Sequence, residues 1–411
     1  MTGRWVGIWA AAPQPTEPPD LPPPPFTRDG FVLADSTLRQ TIRVSAAAQR
    51  VRLRLSNAFG GTELSVDGIG LALPGGGQAG VRAIEPGTSR AVTFARQPGV
   101  VVAPGGQVVS DPLDFPVAAA ANVTVTLYLA AGQPAAGGVT SHLGSRTTSY
   151  LAAGDHVADT DLPGAAAVEH WYLLGGVEAC AGTATAAAVF LGDSLTDGRG
   201  STTDGNDRWP DQLLDVLRSR GDSGGAALLN LGIGGNRVLR DGLGPSIVSR
   251  LDRDALALSG VRWLVLFAGV NDIGTADATQ GAQQQVAAEL CTAYEEIAAK
   301  AQAVGIAVCG ATLTPFAGND PYDDPAGHRE AARQAVNAWI RASGRFGAVL
   351  DFDQAVRDPF SHRRLRPSFD SGDHLHLNPA GYRALADAVP ASLFRLPALR
   401  SREATNRFVV N

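Results

Sequence analysis

The sequence predicts an α/β protein in which an antiparallel β-sandwich precedes a doubly wound, flavodoxin-like parallel sheet of five strands. Before about residue 180, stretches of the chain alternate apolar and polar side chains, which is typical of antiparallel strands with one wet face. From about residue 185, short continuous apolar runs alternate with helical patterns, which indicates buried parallel strands joined by helices. We therefore predict a jelly-roll-like β-sandwich domain over 1–180, an α/β domain over 185–398 and a carboxyl-terminal tail over 399–411.

Length and composition indicate a globular protein of more than one domain. At about 150 residues per domain, 411 residues predict two or three domains. Apolar residues make up 45% of the chain and charged residues 18%, which is enough apolar surface for large cores and excludes a disordered chain. The 34 basic and 40 acidic residues give a net charge of −6 without a basic tract, so we expect no nucleic-acid partner. No apolar run reaches the length of a membrane span, about 18 residues, so we expect none.

The amino-terminal stretch 5–12 is apolar and stops at Pro13. It has the length of a signal-peptide core, but its two tryptophans favour a strand. Residues 13–25 contain eight prolines and are expected to run extended over a surface. The chain as written carries no targeting segment that we recognise, which favours a cytoplasmic location.

Alternating stretches predict the strands of the sandwich. They read LRQTIRVS, QRVRLRLSN, AVTFARQPGVVV and NVTVTLYLA, with Gly- and Pro-rich breaks between them. In the second stretch, Val51, Leu53 and Leu55 point one way and three arginines point the other. We expect the apolar side of each strand to face a core and the polar side to face water.

Five apolar runs predict the strands of the parallel sheet. They are AAAVFLG (186–192), ALLNLGI (227–233), WLVLFAG (263–269), IAVCGATL (306–313) and AVLDF (348–352). Amphipathic patterns between them predict helices, and PAGYRALADAV (379–389) predicts a last one. Ligands of such sheets bind at the carboxyl ends of the strands, so the residues that follow each run are the candidates for a site.

The first two strands end in glycine-rich turns. Glycines flank Ser194 after the first strand, and a tight turn there would expose the serine hydroxyl. The turn GIGGNR follows the second strand, where its backbone N–H groups could face an anion. Taken alone, each turn also has an ordinary interpretation as a loop of turn-forming residues.

Polar residues also follow the third and fifth strands. Asn271 offers a side-chain NH2 donor, although a lone Asn at this place is usually a cap or a turn. Asp373 and His376 are three positions apart, so the carboxylate can accept from one imidazole nitrogen while the other faces outward. Because the carboxyl ends of parallel strands meet at one edge of the sheet, these residues and Ser194 together predict one site.

The motifs GDSLTDG, NLGIGGN, GVND and DHLH resemble those of the GDSL-type, or SGNH, family of serine esterases and lipases, and the resemblance covers 185–395. It implies a catalytic triad of Ser194, Asp373 and His376. It also implies an oxyanion hole formed by Ser194, Gly235 and Asn271. The neighbouring glycine of the same turn is the alternative to Gly235.

The amino-terminal stretches WVGIWAAAPQ, RLSNAFG and SDP are similar to a bacterial branch of the family that has an extra β-domain before the hydrolase. Members of that branch are typically exported with a leader, which favours a secreted protein and conflicts with the cytoplasmic interpretation. We expect the β-domain to bind carbohydrate, to narrow the acyl site or to cover apolar surface of the hydrolase. His142 and Tyr150 are expected to be ordinary loop residues, the alternative being that they reach the cleft.

No metal or other cofactor is expected. Cys180, Cys291 and Cys309 have neither a C-x-x-C spacing nor a Cys/His ligand spacing. We expect buried free thiols, with a Cys291–Cys309 disulfide as the alternative.

The leading functional prediction is a carboxylic ester hydrolase that works through an acyl-enzyme on Ser194. Its expected partner is a small ester with a short acyl group, or an acetylated carbohydrate; the sequence makes no prediction of the oligomeric state. One alternative is a binding protein whose hydrolase domain is inert. Another is a metal-dependent phosphoesterase, with ligands drawn from Asp193, Asp197, Asn271, Asp272, Asp373, His374 and His376.

Overall fold

Antiparallel strands occupy the first part of the chain and parallel strands the second, as the sequence predicts. The computed structural model describes residues 3–182, 184–221 and 225–394. The predicted tail 399–411 lies outside the described residues. Cys180, Cys291 and Cys309 are free thiols, as predicted, but of the three Cys309 alone is buried and the other two are partly exposed. In the described part of the chain, no helix has the length and apolar character needed to cross a membrane.

The antiparallel part contains two larger sheets and three small ones. Its strands are β1 (Arg4–Ala10), β2 (Gln14–Pro15), β3 (Thr27–Arg28), β4 (Phe31–Val32), β5 (Ser36–Arg43), β6 (Ala48–Ser56), β7 (Leu64–Val66), β8 (Gly68–Ala72), β9 (Arg90–Ala91), β10 (Val100–Val102), β11 (Gln107–Val109), β12 (Leu113–Val117), β13 (Asn122–Leu129), β14 (Gln133–Pro134), β15 (Thr140–His142), β16 (Ser149–Ala153), β17 (Ala166–Val168), β18 (Trp171–Tyr172) and β19 (Leu174–Ala181). One larger sheet has the order β1-β19-β6-β11, with β12 also paired to β6. The other has the order β17-β16-β5-β13-β8-β9.

The amino-terminal apolar stretch forms strand β1, as its tryptophans predict, and pairs antiparallel with β19. The proline-rich stretch that follows is largely extended. It contains a short pairing that the sequence does not predict, because β2 joins β15 and the Gln14 side chain is buried.

The polar side of strands β5 and β13 is buried, although the alternating pattern predicts that it faces water. The Arg39 guanidinium lies on this side, bonded to Thr126 Oγ1 (3.0 Å) and to the backbone oxygens of Arg82 and Asp159 (2.7 Å each). Burial lowers the pKa of Arg39 to about 10, so it stays charged at neutral pH. The loops that contain Arg82 and Asp159 cover this face and supply acceptors for the side chains that they bury.

The parallel sheet has the order β21-β20-β22-β23-β24. Its strands are β20 (Ala186–Gly192), β21 (Ala226–Gly232), β22 (Val261–Phe267), β23 (Ala307–Ala311) and β24 (Ala348–Leu350). The helices are α1 (Ser194–Asp197), α2 (Trp209–Ser219), α3 (Ile247–Leu251), α4 (Val270–Thr275), α5 (Gln280–Ala303), α6 (His328–Ala342), α7 (Phe352–Val356) and α8 (Pro379–Ala388). Because β20 lies between β21 and β22, the strand order reverses there, and this switch point opens a crevice at the carboxyl ends of the strands.

The antiparallel part packs directly against the edge strand β21 and helix α2. Ser45 donates its hydroxyl to Ile8 O (2.7 Å) and accepts from Leu228 N of β21 (2.9 Å). Arg43 of β5 lies 2.6 Å from the Asp215 carboxylate of α2. These bonds hold the amino-terminal strands next to β21, and the glycine turn of the candidate site follows the carboxyl end of that strand.

Candidate active site

The predicted nucleophile lies where β20 turns into helix α1. Asp193 is the residue before the helix, and its side chain caps the helix by accepting from Leu195 N (3.0 Å). Ser194 is the first residue of the helix and is 4% exposed. The turn therefore places the serine side chain at the carboxyl edge of the parallel sheet, as predicted. The expectation that the turn exposes the hydroxyl is wrong, because Ser194 is buried against the neighbouring loops.

The structure brings the three predicted triad residues together. Ser194 Oγ lies 2.8 Å from His376 Nε2, and His376 Nδ1 lies 2.5 Å from Asp373 Oδ2. Because a carboxylate only accepts, Nδ1 carries the hydrogen and Nε2 accepts from the serine hydroxyl. This continuous series of hydrogen bonds leaves the imidazole able to take the proton of Ser194.

Asp373 is held in its charged form. Burial opposes its ionisation, but hydrogen bonds from the His376 ring, His376 N and Leu375 N outweigh burial and hold the pKa of this carboxyl well below its usual range. The carboxylate therefore keeps its charge over the working pH range and can stabilise a positive charge on His376.

His374 does not join this series of hydrogen bonds. Its side chain is half exposed, and its Nδ1 lies 2.6 Å from Asp370 Oδ2. Asp373 therefore pairs with His376, three positions later, and not with the neighbouring His374.

A tight turn follows β21 and contains both candidate glycine donors. Asn236 N donates to Ile233 O (3.1 Å), and Gly235 has a φ of +70°. A positive φ at the third position is what a type II turn requires, and glycine adopts it without strain. Within the described residues, neither Gly234 N nor Gly235 N donates to a protein acceptor, so both remain candidates for the oxyanion hole.

Two buried side chains hold this turn in place. Arg250 donates to Gly192 O at the end of β20 (3.0 Å) and to Asn236 Oδ1 (3.1 Å). The Asp272 carboxylate accepts from the backbone N–H groups of the next residues, Val238 (2.8 Å) and Leu239 (3.0 Å). The nucleophile turn and the glycine turn are therefore tied to each other and to helix α4.

Asn271 presents its amide NH2 towards the glycine turn. Its Nδ2 donates to Asn236 O (2.8 Å), and its Oδ1 accepts from the hydroxyl of Tyr322 (2.7 Å). Because Asn236 O can only accept, the amide orientation is determined by this contact. Within the described residues, this is the one hydrogen bond that Nδ2 donates, so one of its two hydrogens has no protein acceptor there.

Asp193 lies completely buried beneath the nucleophile. Burial, reinforced by the carboxylates of Asp272 and Asp197, raises the pKa of Asp193 to about 7. Its carboxyl accepts from Leu195 N at the start of helix α1, and no hydrogen bond joins it to the triad side chains among the described residues. This contact indicates that Asp193 stabilises the turn.

His142 is not an ordinary loop residue, so that expectation is wrong. It lies buried at the end of β15, with Nε2 2.9 Å from Asp197 Oδ1 of helix α1. Tyr150 is half-buried on β16 and donates its hydroxyl to Gly80 O (2.8 Å), within the antiparallel part. No local pattern indicates the contact of His142, because its partner is 55 positions away.

The carboxylates of the alternative metal site are spread over separate structural contacts. Asp193 caps α1, Asp272 binds the turn after β21, and Asp197 binds His142. In the described ranges of the chain, no group of three or more His, Cys, Asp or Glu side chains is arranged to hold a metal ion.

Two residues of the site follow the fourth strand, β23, where the sequence analysis predicts none. Asn319 donates its side-chain N–H to Asp373 O (2.8 Å), and Tyr322 binds Asn271. The rule that ligands meet the carboxyl ends of parallel strands applies to β23 as well, and it is the signal that points to this loop.

A model of the GDSL-like lipase/acylhydrolase family matches residues 190–384, which include all the predicted site residues. Residues 190–384 are a GDSL-like hydrolase domain. The predicted enzyme class, a carboxylic ester hydrolase, is thereby confirmed. The match does not reach the amino-terminal strands, so their similarity to one bacterial branch stays a prediction.

Several solved structures of hydrolases are similar to about half of the chain. A GDSL-like lipase from Bacteroides thetaiotaomicron is 20% identical over 49% of this chain and 84% of its own, with a TM-score of 0.35. A variant of an acetyl xylan esterase from Geobacillus stearothermophilus is 20% identical over 49% and 92%, with a TM-score of 0.37. An alpha/beta hydrolase from the metagenome of Lake Arreo, Spain, is 19% identical over 50% and 93%, with a TM-score of 0.36. No curated protein matches the chain at a significant level.

Proposed function

We propose that the GDSL-like domain hydrolyses short-chain carboxylic esters through an acyl-enzyme on Ser194. The observation that carries the proposal is the series of hydrogen bonds from Asp373 through His376 to Ser194, with distances of 2.5 and 2.8 Å. A serine hydroxyl is a weak nucleophile until a base removes its proton, and Nε2 of His376 lies where that proton must go.

In the first half of the reaction, Ser194 Oγ bonds to the ester carbonyl carbon while His376 Nε2 takes the hydroxyl proton. The negative charge of Asp373 stabilises the imidazolium that forms. When the tetrahedral intermediate collapses, the C–O bond to the alcohol breaks, and the imidazolium gives its proton to the departing oxygen. An acyl group remains on Ser194.

In the second half, water replaces the alcohol. His376 removes a proton from the water molecule as its oxygen attacks the acyl carbon, and the imidazolium then protonates Ser194 Oγ as the carboxylic acid leaves. In each half His376 takes one proton from the attacking group and gives it to the leaving oxygen, so the proposed reaction needs no cofactor.

The negative oxygen of each intermediate would be bound by Asn271 Nδ2, Ser194 N and a glycine N–H of the turn after β21. We propose Gly235 as that glycine. One such donor contributes about 2.7–4 kcal/mol to stabilisation of the transition state. The bonds from Arg250 and Asp272 support a donor in this turn, because they hold the turn before any substrate arrives; the choice of Gly235 over Gly234 follows the position of the motif NLGIGGN.

A short acyl group is supported by the burial of the catalytic side chains. Ser194 is 4% exposed and His376 is 6% exposed, and we take this burial of the nucleophile and the base to favour small acyl groups. We propose acetyl and other short acyl esters as substrates, including acetyl groups on carbohydrate.

The test compares p-nitrophenyl acetate hydrolysis by the wild type, Ser194→Ala and the control Ser219→Ala. Ser219 donates to Val216 O within helix α2, away from the triad. We expect Ser194→Ala to lose turnover by a factor of order 10⁴, while the control keeps it. An organophosphonate should label Ser194, and EDTA should have no effect. Retention of a tenth of the activity by Ser194→Ala would contradict the serine mechanism.

The substrate class is tested by a panel of p-nitrophenyl esters of increasing acyl length, together with acetylated oligosaccharides. We expect kcat/KM to fall as the acyl chain lengthens. A maximum for long acyl chains would contradict the short-chain assignment without affecting the role of Ser194.

A further inference from the structure

The loop between β23 and α6, residues 312–327, contacts two parts of the site. Asn319 of this loop donates to Asp373 O (2.8 Å), and Tyr322 donates its hydroxyl to Asn271 Oδ1 (2.7 Å). Tyr322 N also donates to Asn319 O (3.1 Å). One short segment therefore links the carboxylate end of the triad to the candidate oxyanion donor.

Tyr322 controls the oxygen end of the Asn271 amide. Without its hydroxyl, Oδ1 would be buried and would lack its donor, which removes one of the two contacts that hold the side chain. A hydrogen bond donated to an amide oxygen also polarises the amide, which makes its N–H groups better donors. Burial raises the pKa of Tyr322, so its hydroxyl keeps the proton that it donates.

The ring of Tyr322 is held in place by close packing. It lies against Gly274 of helix α4, where a Cβ would be 2.5 Å from the ring. Phe316 contacts the ring edge-on, with centroids 6.4 Å apart. Glycine is the residue that lets the ring lie on the helix that contains Asn271, so the distance from hydroxyl to amide is determined by packing.

We propose that Tyr322 is a positioning residue for ester hydrolysis, which holds and polarises the Asn271 amide so that Nδ2 meets the negative oxygen of the transition state. The inference rests on the proposed function, because it needs Asn271 to be an oxyanion donor. Tyr322 itself touches neither the substrate nor the triad side chains.

A double-mutant cycle tests the inference with p-nitrophenyl acetate. It uses the wild type, Tyr322→Phe, Asn271→Ala and the double variant. Because the hydroxyl acts only through Asn271, we expect Tyr322→Phe to lower kcat about 3- to 10-fold in the wild-type background. We expect no further loss from Tyr322→Phe in the Asn271→Ala background. KM should stay unchanged, since the contact strengthens only as charge develops.

The matched control is Tyr172→Phe. Tyr172 also donates its hydroxyl at 2.7 Å, to Asp20 O in the antiparallel part, and its side chain is buried whereas that of Tyr322 is half-buried. Its substitution deletes the same atom and the same kind of bond, so any general effect of lost stability on kcat should appear there. Phosphonylation of Ser194 provides a second measurement, and Tyr322→Phe should slow it by the same factor as kcat.

Two results would overturn the inference. One is a wild-type kcat for Tyr322→Phe, and the other is the same fold loss in both backgrounds, which would mean that Tyr322 acts independently of Asn271. Failure of the proposed function gives a different result. Full activity of Ser194→Ala would contradict the acyl-enzyme on Ser194, and full activity of Asn271→Ala would contradict its role as an oxyanion donor; either result would also overturn the inference about Tyr322.

Discussion

His142 and Asp197 bind each other across the boundary between the antiparallel sheets and the parallel sheet, with 2.9 Å between Nε2 and Oδ1. His142 Nδ1 lies 3.0 Å from Ala12 O, and a carbonyl oxygen only accepts, so Nδ1 carries a hydrogen. Asp197 belongs to the helix that begins with Ser194, so a strand of the amino-terminal part supports the nucleophile turn.

We expect His142→Ala to lower the free energy of unfolding by about 3–5 kcal/mol, because it leaves the buried Asp197 carboxylate without a partner. The matched control is His156→Ala. His156 and Asp159 form a pair at 2.7 Å that is largely exposed, and such pairs contribute about 0–1 kcal/mol. Denaturant unfolding of both variants measures the difference. Equal losses would show that the buried contact has no special role.

Substitution of the two neighbouring histidines separates their roles. We expect His376→Ala to lower kcat by a factor of order 10⁴, because no other group can take the proton of Ser194. His374→Ala should stay close to the wild type, because His374 binds Asp370 at the surface. Steady-state kinetics on p-nitrophenyl acetate measures both. A loss confined to His374→Ala would reverse the assignment.

Replacement of Asn271 tests the oxyanion hole separately from the nucleophile. We expect Asn271→Ala to lower kcat by about 10²–10³ with little change in KM, because the amide binds the negative oxygen more strongly than the ester carbonyl. Phosphonate labelling of Ser194 should continue at a reduced rate. A raised KM at unchanged kcat would make Asn271 a substrate-binding residue instead.

Asp193 is expected to make stability depend on pH. Its pKa is about 7 in the folded protein, above the ordinary value of 3.8, because of its burial. Between these two pH values the folded state holds a proton that the unfolded state has lost, so stability falls as pH rises towards 7 and then levels off. Asp193→Asn keeps an acceptor for Leu195 N and removes the titrating group.

Denaturant unfolding of the wild type and Asp193→Asn at about pH 5 and about pH 8 measures this effect. We expect the free energy of unfolding of Asp193→Asn, relative to that of the wild type, to be greater at the higher pH. Contributions from other groups, such as the low pKa of Asp373, are common to both proteins and cancel in the comparison. The same pH dependence in both proteins would show that Asp193 does not titrate in this range.

The local patterns of the sequence determined the longer strands, the class of fold and two of the three residues of the candidate triad. Strand β6 alternates apolar and polar residues, which indicates burial on one face, and strands β20 to β24 contain continuous apolar runs, which indicate burial on both faces. These patterns can be recognised within each segment of sequence, without knowledge of the other segments. Asp373 and His376 are three positions apart, so their contact is a property of one turn. Ser194 is 182 positions from His376, and its place next to the imidazole was expected because both follow strands of one parallel sheet.

The contacts between elements that are distant in the sequence were decided by the tertiary structure alone. The polar side of β5 is buried because distant loops supply acceptors for Arg39, and the alternating pattern contains no sign of those loops. The contacts from His142 to Asp197 and from Tyr322 to Asn271 join residues 55 and 51 positions apart. Periodicity reports the average environment of a segment, whereas these contacts depend on how separate elements pack. For that reason the sequence indicated where the candidate catalytic residues lie, and the packing decided which residues hold them in position.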